Sequence, residues 1–192
     1  MKTYLTRHSE TPLNQLRKVN GEIDEPLNET GIAQAKELAA SLPPSLKIIY
    51  SSPLKRAIET ATYLSEKTNL PINITSALTE VRMGNLAGKS WKEMPNGQIL
   101  KKLHRSVQYD YLATGGENVA DVFARLKPFL SAISHQFNDH EVLFITHGGI
   151  IRTLKFLETG EIINKTQDHA QILELDLDKI LKSINQLNKV RP

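Results

Sequence analysis

The chain has 192 residues, and 24 Lys and Arg against 21 Asp and Glu give it a net charge of +3. Its hydrophobic content of 40% and charged content of 23% are ordinary for one globular domain of this length. The absence of Cys excludes a disulfide framework, a Cys-based zinc site and any enzyme with a cysteine nucleophile. Basic residues are scattered and no apolar run could cross a bilayer, so we expect neither a nucleic-acid nor a membrane partner. The composition therefore indicates one soluble, cytoplasmic domain over residues 1–192.

Three short apolar runs are predicted to form β-strands. They extend over Thr3 to Thr6, Leu46 to Tyr50 and Val142 to Thr146, and each precedes a segment with helical periodicity. Short apolar strands that alternate with amphipathic helices are typical of a mostly parallel sheet covered on both faces. The predicted fold is therefore a three-layer α/β/α sandwich.

Several predicted helices have recognisable ends. Ser52 and Pro53 are predicted to cap the helix that follows the second strand. Asn118 is the predicted cap of the longest helix, and Gly160 is placed to end the helix over 149–157. These signals fix where the strand-to-helix connections lie.

The C-terminal part of the chain is predicted to add one more strand before a last amphipathic helix. Leu173, Leu175 and Leu177 alternate with Glu174 and Asp176, which is the pattern of a half-buried strand. One-sided burial of this kind favours an edge position or antiparallel pairing.

Residues 76–117 are the least regular segment and contain the only Trp of the chain. We expect this segment to lie as an inserted lid over the sheet edge that carries the functional residues. Because loops supply most binding contacts on such a scaffold, selectivity is expected to reside there.

Chemically competent side chains follow all three predicted strands. Arg7 and His8 follow the first, Arg56 lies shortly after the second, and His147 follows the third. The carboxyl ends of parallel strands share one sheet edge, where ligands bind, so these residues are expected to converge. Guanidinium groups bind phosphoryl oxygens through paired hydrogen bonds, and helix N-termini add backbone N–H donors.

A histidine in such a site has the properties of a nucleophile toward phosphorus. Neutral imidazole attacks without a separate base, and nearby arginines should lower its pKa and keep it neutral. The leaving oxygen then needs a proton donor, which a carboxylic acid on the irregular segment could provide. The pattern thus favours phosphoryl transfer to an imidazole.

These residues stand in an ordered series of motifs that resembles the histidine phosphatase superfamily, which includes the cofactor-dependent phosphoglycerate mutases. The resemblance spans nearly the whole chain and is to the phosphatase branch of the superfamily. The matching segments, in chain order, are Arg7-His8-Ser9-Glu10-Thr11 with Asn14, residues 21–27, Gly31 with Gln34-Ala35, residues 51–57, Glu59-Thr60-Ala61, residues 78–88, Gly115-Gly116-Glu117-Asn118 with Arg125, and residues 146–152.

The resemblance implies a role for each of the main site residues. His8 is the implied nucleophile, and Arg7, Arg56 and His147 are implied to bind the phosphoryl oxygens. Glu80 is the implied general acid, and later the base for the hydrolytic water. The family works without a metal or other cofactor, and its members act on phosphorylated substrates.

Two further residues are implied in phosphate or substrate binding, and two depart from the family pattern. Asn14 and Gly148 are the implied additional contacts. Ser9 stands where the family most often has Gly, so the turn must accept a Cβ atom. Ala87 stands where many members have Glu, which affects local hydrogen bonding.

The remaining histidines are predicted to be surface residues; they are His104, His135, His140 and His169.

Three functions remain open at this point. The first is hydrolysis of a small phosphomonoester, and the second is mutase-type transfer of the phosphoryl group back to the substrate. The chain lacks, after Glu80, the paired Arg with which mutases hold a phosphoglycerate, which favours hydrolysis. The third is a catalytically inactive member that serves as a binding module, and the retained motif residues argue against it. The sequence does not determine the oligomeric state.

Overall fold

The structure is a computed structural model and describes residues 2–136, 141–163 and 168–187. Within these ranges, five strands form one sheet: β1 (Thr3–Arg7), β2 (Leu46–Ser51), β3 (Ile72–Ile74), β4 (Glu141–Thr146) and β5 (Ile172–Leu175). Their order across the sheet is β3-β2-β4-β1-β5, and β5 runs antiparallel to its neighbour whereas the others are parallel. The predicted mostly parallel sheet is confirmed.

The α-helices of the described residues cover both faces of this sheet. They are α1 (Pro12–Gln15), α2 (Glu29–Ala40), α3 (Lys55–Thr68), α4 (Gly97–Arg105), α5 (Val119–Gln136), α6 (Gly148–Thr159) and α7 (Leu177–Leu187). Helices α2 and α3 pack on one face, and α5, α6 and α7 contribute to the core on the other. This arrangement is the predicted three-layer α/β/α sandwich.

The central strand β4 explains why the layers stay together. Its residues Val142, Leu143, Phe144 and Ile145 are all fully buried. Val142 and Phe144 point into the core of one face, whereas Leu143 and Ile145 point into that of the other. A strand buried on both faces needs a continuous apolar run rather than an alternating one, and this strand has it.

The segment 76–117 is part of the main core. It contributes buried side chains to the cluster under α5 and α6, namely Leu78, Val81, Met83, Leu86, Met94, Val107, Tyr109 and Tyr111. Arg125 on α5 and the hydroxyl of Thr146 bond to its backbone, at the carbonyls of Ala77 and Leu78. The segment is therefore anchored by packing and by hydrogen bonds along its first part.

Two helix boundaries confirm the predicted signals. The side chain of Asn118 accepts from the backbone N–H of Asp121, and the Asp121 carboxylate accepts from the Asn118 N–H, each at 3.0 Å. This reciprocal pair is a capping box. Gly160 ends α6 with a φ of 73°, a left-handed conformation that a residue without Cβ adopts at little cost.

Two predictions of local structure are wrong, and one short strand is missing from the predictions. Ser52 is not a helix cap, because α3 begins at Lys55 and the carboxylate of Asp24 accepts from the Lys55 N–H instead. Leu177 does not continue the strand pattern but begins α7, since the strand ends at Leu175. The three-residue β3 was not predicted, because a short, half-exposed edge strand carries too little periodicity to be recognised.

We expect the buried and exposed leucines to differ sharply in their contribution to stability. Leu143→Ala in the fully buried centre of β4 should lower the free energy of unfolding by about 2–5 kcal/mol, because it leaves a cavity between sheet and helices. Leu112→Ala, at a side chain that is 54% exposed, is the matched control and should change it by less than about 0.5 kcal/mol. Equal losses in urea unfolding of the two variants would contradict this view of the core.

Candidate active site

A cavity of about 310 Å³ opens at the carboxyl ends of the parallel strands. Among the described residues, its wall contains six basic side chains, three histidines and one carboxylate. The basic residues are Arg7, Arg17, Lys18, Lys101, Arg105 and Arg152; the histidines are His8, His104 and His169; the carboxylate is Glu80. Such a wall suits an anionic ligand of small size.

Strand pairing brings the site residues together. In the register of the sheet, Arg7 lies opposite Thr146 and Ser51 lies opposite Ile145. The next residues of these strands therefore leave the sheet side by side, and the backbone N–H of His8 donates to the Thr146 carbonyl at 2.9 Å. The rings of His8 and His147 end with their centroids 5.0 Å apart. The predicted convergence of the strand ends is confirmed.

The imidazole of His8 is fixed in one tautomer. Its Nδ1 lies 2.7 Å from the carbonyl oxygen of Ser9, which can only accept, so Nδ1 carries the proton. The lone pair is then on Nε2. Burial, followed by the electrostatic influence of His147, Arg56, Arg7 and His169, lowers the pKa of His8 well below its usual value of 6.5. At neutral pH the side chain is therefore an uncharged base with a free Nε2 lone pair.

His147 is held by a hydroxyl group from the neighbouring strand end. It precedes α6 and is completely buried, and its Nε2 lies 2.7 Å from Oγ of Ser52. Its Nδ1 is buried and has no hydrogen-bond partner among the described residues. Burial and the nearby arginines, Arg56 first, lower the pKa of His147 well below 6.5. His147 is thus a second neutral imidazole beside His8.

The two predicted phosphate-binding arginines occupy different positions. Arg7 lines the cavity, and burial lowers its pKa to about 10, so it stays charged at neutral pH. Arg56 is completely buried and donates to the carbonyl oxygens of Gly21 and Ile23. It does not line the cavity, although its charge acts on both central histidines. Arg56 therefore holds the loop over residues 21–23 beside the site. Its charge adds positive electrostatic potential from the buried layer behind the cavity wall.

Glu80 is placed on the cavity wall by α6. Both oxygens of its carboxylate accept from the backbone N–H of Gly149, at 3.1 and 3.2 Å, and one also accepts from Val81. A Cβ atom at position 149 would lie 2.5 Å from Oε1 of Glu80, so only Gly leaves room for this contact. The N-terminus of α6 was predicted to supply N–H donors to phosphate; the Gly149 N–H serves Glu80 instead.

An ion pair supports the backbone on both sides of Glu80. The carboxylate of Glu117 accepts from Nε of Arg125 at 3.1 Å and from the backbone N–H of Arg82 at 3.0 Å. The Arg125 guanidinium in turn donates to the carbonyl of Ala77. These bonds span residues 77–82 and hold the carboxylate-bearing turn against α5.

Asn14 and Gly148 both line the cavity. The side chain of Asn14 is used locally, because its oxygen accepts from Thr11 and its amide donates to Asn20. The Asn14 amide has a second hydrogen besides the one that it donates to Asn20. At Gly148 a Cβ atom would come no closer than 3.7 Å to Arg152, so this position is not crowded.

The two departures from the family pattern are accommodated. Ser9 is buried, its φ is not positive, and its backbone N–H donates to the Thr60 hydroxyl at 3.1 Å. The backbone of this turn therefore accepts a Cβ atom without a left-handed conformation, but the buried Ser9 hydroxyl has no hydrogen-bond partner among the described residues. Ala87 lies against Gly21, at whose position a Cβ atom would be 3.1 Å from that of Ala87.

Two histidines predicted to be surface residues line the cavity instead. His104 is 8% exposed, and its Nδ1 lies 3.0 Å from the Tyr111 hydroxyl. It shares one face of α4 with Lys101 and Arg105, at the i, i+3 and i+4 spacing that could have revealed it. His169 is half-buried, and its Nδ1 donates to the His8 carbonyl at 2.7 Å. His135 is exposed as predicted, and His140 lies outside the described residues.

Arg152 is a further site residue to which the sequence assigned no role. It is 8% exposed, lines the cavity and donates to the Gly148 carbonyl at 3.3 Å. Its position five residues after His147, on the buried side of α6, was the available signal.

The described residues contain no cluster of three or more His, Asp or Glu side chains with the arrangement of a metal site. In the same residues, no helix has the length and apolar character needed to span a membrane.

The chain belongs to the histidine phosphatase superfamily, branch 1, whose family model matches residues 3–188. It is 32% identical to phosphoserine phosphatase 1 of Hydrogenobacter thermophilus over 172 residues, which cover 86% of this chain and 79% of that protein. Among solved structures it resembles a mycobacterial glucosyl-3-phosphoglycerate phosphatase in complex with VO3, with a TM-score of 0.79, 26% identity and coverage of 91% and 92%. A phosphoserine phosphatase mutant from Entamoeba histolytica bound to phosphoserine gives a TM-score of 0.77, 26% identity and coverage of 90% and 89%. The predicted family and enzyme class, a phosphoric monoester hydrolase, are confirmed.

The buried histidines should make stability depend on pH. Burial lowers the pKa of His104 to about 3 and that of His169 to about 4, and it lowers the pKa of His8 and His147 well below 6.5. The unfolded chain therefore binds more protons than the folded chain below pH 6.5, and the free energy of unfolding should fall as pH decreases through this range. Each histidine contributes up to about 1.4 kcal/mol per pH unit.

Urea unfolding between pH 7 and pH 5 measures this slope. At the acidic end of this range, His104→Phe should reduce the slope by the amount that corresponds to close to one bound proton. His135→Gln, at an exposed position, should leave the slope unchanged. A slope that is the same in wild type and His104→Phe would show that His104 is protonated in the folded state.

Gly149→Ala should disturb the position of Glu80 more than the fold. The new methyl group would overlap with Oε1 of Glu80, which must turn away from the Gly149 N–H. On the predicted role of Glu80 as general acid, kcat for an alkyl phosphate, whose leaving oxygen needs a proton, should fall about 100-fold. Thr159→Ala, at an exposed position at the other end of α6, is the control and should keep close to wild-type activity. Equal losses in the two variants, at equal melting temperatures, would contradict this role for Gly149.

Proposed function

We propose that the protein hydrolyses small phosphomonoesters through a phosphohistidine intermediate on His8, without a metal ion. The observation that carries this proposal is the state of His8. The proton on Nδ1 is donated to the Ser9 carbonyl oxygen, so the lone pair lies on Nε2. Burial and neighbouring charges hold the pKa of His8 well below 6.5. An imidazole in this state is ready to attack phosphorus without a base.

In the first step, Nε2 of His8 attacks the phosphorus atom while the bond from phosphorus to the ester oxygen breaks. Glu80, in its protonated form, gives its proton to the leaving oxygen. In the second step, the Glu80 carboxylate takes a proton from water, the water oxygen attacks phosphorus, and the bond to His8 breaks. The products are the alcohol and inorganic phosphate, and both groups return to their starting states.

The basic wall of the cavity supplies the electrostatic part of the proposal. Charge develops on the phosphoryl oxygens during transfer, and fixed positive groups stabilise it most in a site that excludes water. Arg7 and Arg152 line the cavity directly, and Arg56 acts from the buried layer beneath. We propose Arg7, His147, Asn14 and the Gly148 backbone as the groups that bind the phosphoryl oxygens, with Arg56 adding positive charge from the buried layer.

The size and composition of the cavity support a small anionic substrate. Its volume of about 310 Å³ is at the low end for small-molecule sites. Lys101 and Arg105 of α4 and the apolar surface of Trp91 belong to the part of the wall that comes from the segment 76–117, which we propose as the lid. The names of the relatives, phosphoserine and glucosyl-3-phosphoglycerate phosphatases, support this class of substrate.

His8→Ala should abolish phosphate release and labelling. Wild type incubated with a ³²P-labelled phosphomonoester and quenched in alkali should carry label on His8, because phosphoramidate bonds survive base. His135→Ala, outside the cavity, should label and turn over like wild type. EDTA should leave the rate unchanged. If wild type releases no more phosphate than His8→Ala across a broad substrate panel, the protein is an inactive binding module.

Hydrolysis and mutase-type transfer differ in the acceptor that takes the phosphoryl group from the phosphohistidine, which is water in the first case and a hydroxyl group of the substrate in the second. We expect free phosphate to accumulate from an aryl phosphate, and 3-phosphoglycerate to yield little 2-phosphoglycerate, because the paired mutase arginines are absent after Glu80. Phosphorus NMR of both reactions follows each product directly. Fast isomerisation with little free phosphate would favour the mutase instead.

A further inference from the structure

Ser52 occupies a position that the reaction above does not use. It is completely buried, and its hydroxyl lies 2.7 Å from Nε2 of His147, which is 95 positions away in the chain. Its backbone N–H donates to the carbonyl of Ile145 at 3.0 Å, which continues the pairing of β2 with β4 past the last strand residue. The contact between Ser52 and His147 is therefore built by two adjacent strand ends.

The contact with Ser52 bears on which atom of His147 carries the proton. The Ser52 oxygen accepts from the backbone N–H of Leu54 at 3.3 Å, which leaves its hydroxyl proton available to Nε2 of His147. His147 is uncharged at neutral pH, because burial and nearby arginines lower its pKa. When the hydroxyl donates to Nε2, the imidazole proton must lie on Nδ1.

The Nδ1 atom of His147 is a buried polar atom without a hydrogen-bond partner among the described residues. Buried polar groups are nearly always paired, so an exception inside a site points to a ligand atom. The ring centroid of His147 lies 5.0 Å from that of His8, so a phosphoryl group attached to His8 lies close to His147. An unprotonated phosphoryl oxygen accepts hydrogen bonds and cannot donate one, so a bond from Nδ1 of His147 to it requires the Nδ1–H tautomer.

We propose that Ser52 is a positioning residue that holds His147 in the Nδ1–H tautomer, and that this N–H donates to a phosphoryl oxygen of the bound substrate. The second part rests on the proposed function, whereas the first is a property of the free protein. Ser52 acts through His147 and does not touch the substrate. An outer hydrogen-bond partner that fixes a histidine tautomer commonly changes activity by one or two orders of magnitude when it is removed.

Long-range ¹H–¹⁵N correlation spectra of the ¹⁵N-labelled full chain report the tautomer of each neutral histidine. The His147 signals are assigned by their loss in His147→Gln. We expect a protonated Nδ1 and an unprotonated Nε2 in wild type, and a mixture of tautomers in Ser52→Ala. Ser52→Thr retains the hydroxyl and should retain the wild-type tautomer.

Ser51→Ala is the matched control for Ser52→Ala. It removes a neighbouring, equally buried hydroxyl, which donates to the Ser52 carbonyl at 3.0 Å and does not contact His147. With an aryl phosphate, we expect kcat to fall about 10- to 100-fold in Ser52→Ala with little change in KM, and to stay near wild type in Ser51→Ala. Circular dichroism melting curves of both variants separate this effect from unfolding.

Added inorganic phosphate tests the second part without turnover. It should shift the Nδ1–H resonance of His147 in wild type and in Ser51→Ala. An Nε2–H tautomer in wild type, or an unchanged Nδ1–H tautomer and kcat in Ser52→Ala, would overturn the role of Ser52. A wild-type Nδ1–H resonance that phosphate does not move would overturn the contact to the phosphoryl group. Failure of the proposed function is recognised separately, as wild-type phosphate release no greater than that of His8→Ala.

Discussion

The site depends on the parallel pairing of β1 and β2 with β4. This pairing places Arg7 opposite Thr146 and Ser51 opposite Ile145, so the residues after the three strands leave the sheet at one edge. The bond from the His8 N–H to the Thr146 carbonyl extends the pairing by one residue. Because β4 is buried on both faces, a shift of one residue would turn its core side chains to the wrong face, and the register is therefore strongly specified.

A second constraint is the accumulation of positive charge beside neutral imidazoles. Arg7, Arg56 and Arg152 are all buried or nearly so, and burial lowers the pKa of each. Glu80 acts in the opposite direction on all three and is the carboxylate of the cavity wall among the described residues. Burial, together with the charges of Arg56 and Arg7, lowers the pKa of His8 and His147 and keeps both unprotonated. The arrangement that suits a phosphoryl anion is thus also the one that keeps His8, the proposed nucleophile, uncharged.

The segment 76–117 connects the core to the cavity wall. Val81 and Met83 belong to the hydrophobic core and line the cavity as well. The Arg125–Glu117 pair and the hydroxyl of Thr146 hold the backbone before and after Glu80. Substitutions in the first part of this segment are therefore constrained, because this part positions the Glu80 carboxylate. On α4, by contrast, the cavity face of Lys101, His104 and Arg105 can vary with fewer consequences for Glu80.

The sequence by itself determined the fold class, the family and the strand ends at which Arg7, His8 and His147 lie, because apolar runs and ordered motifs are local features. It did not reveal that Asp24 rather than Ser52 caps α3, that Glu80 takes the Gly149 N–H, or that His104, His169 and Arg152 face the cavity. Each of these facts joins residues that are distant along the chain or depends on which helix face is covered. Such contacts exist only after the strands have paired and the helices have packed, so the tertiary structure decides them.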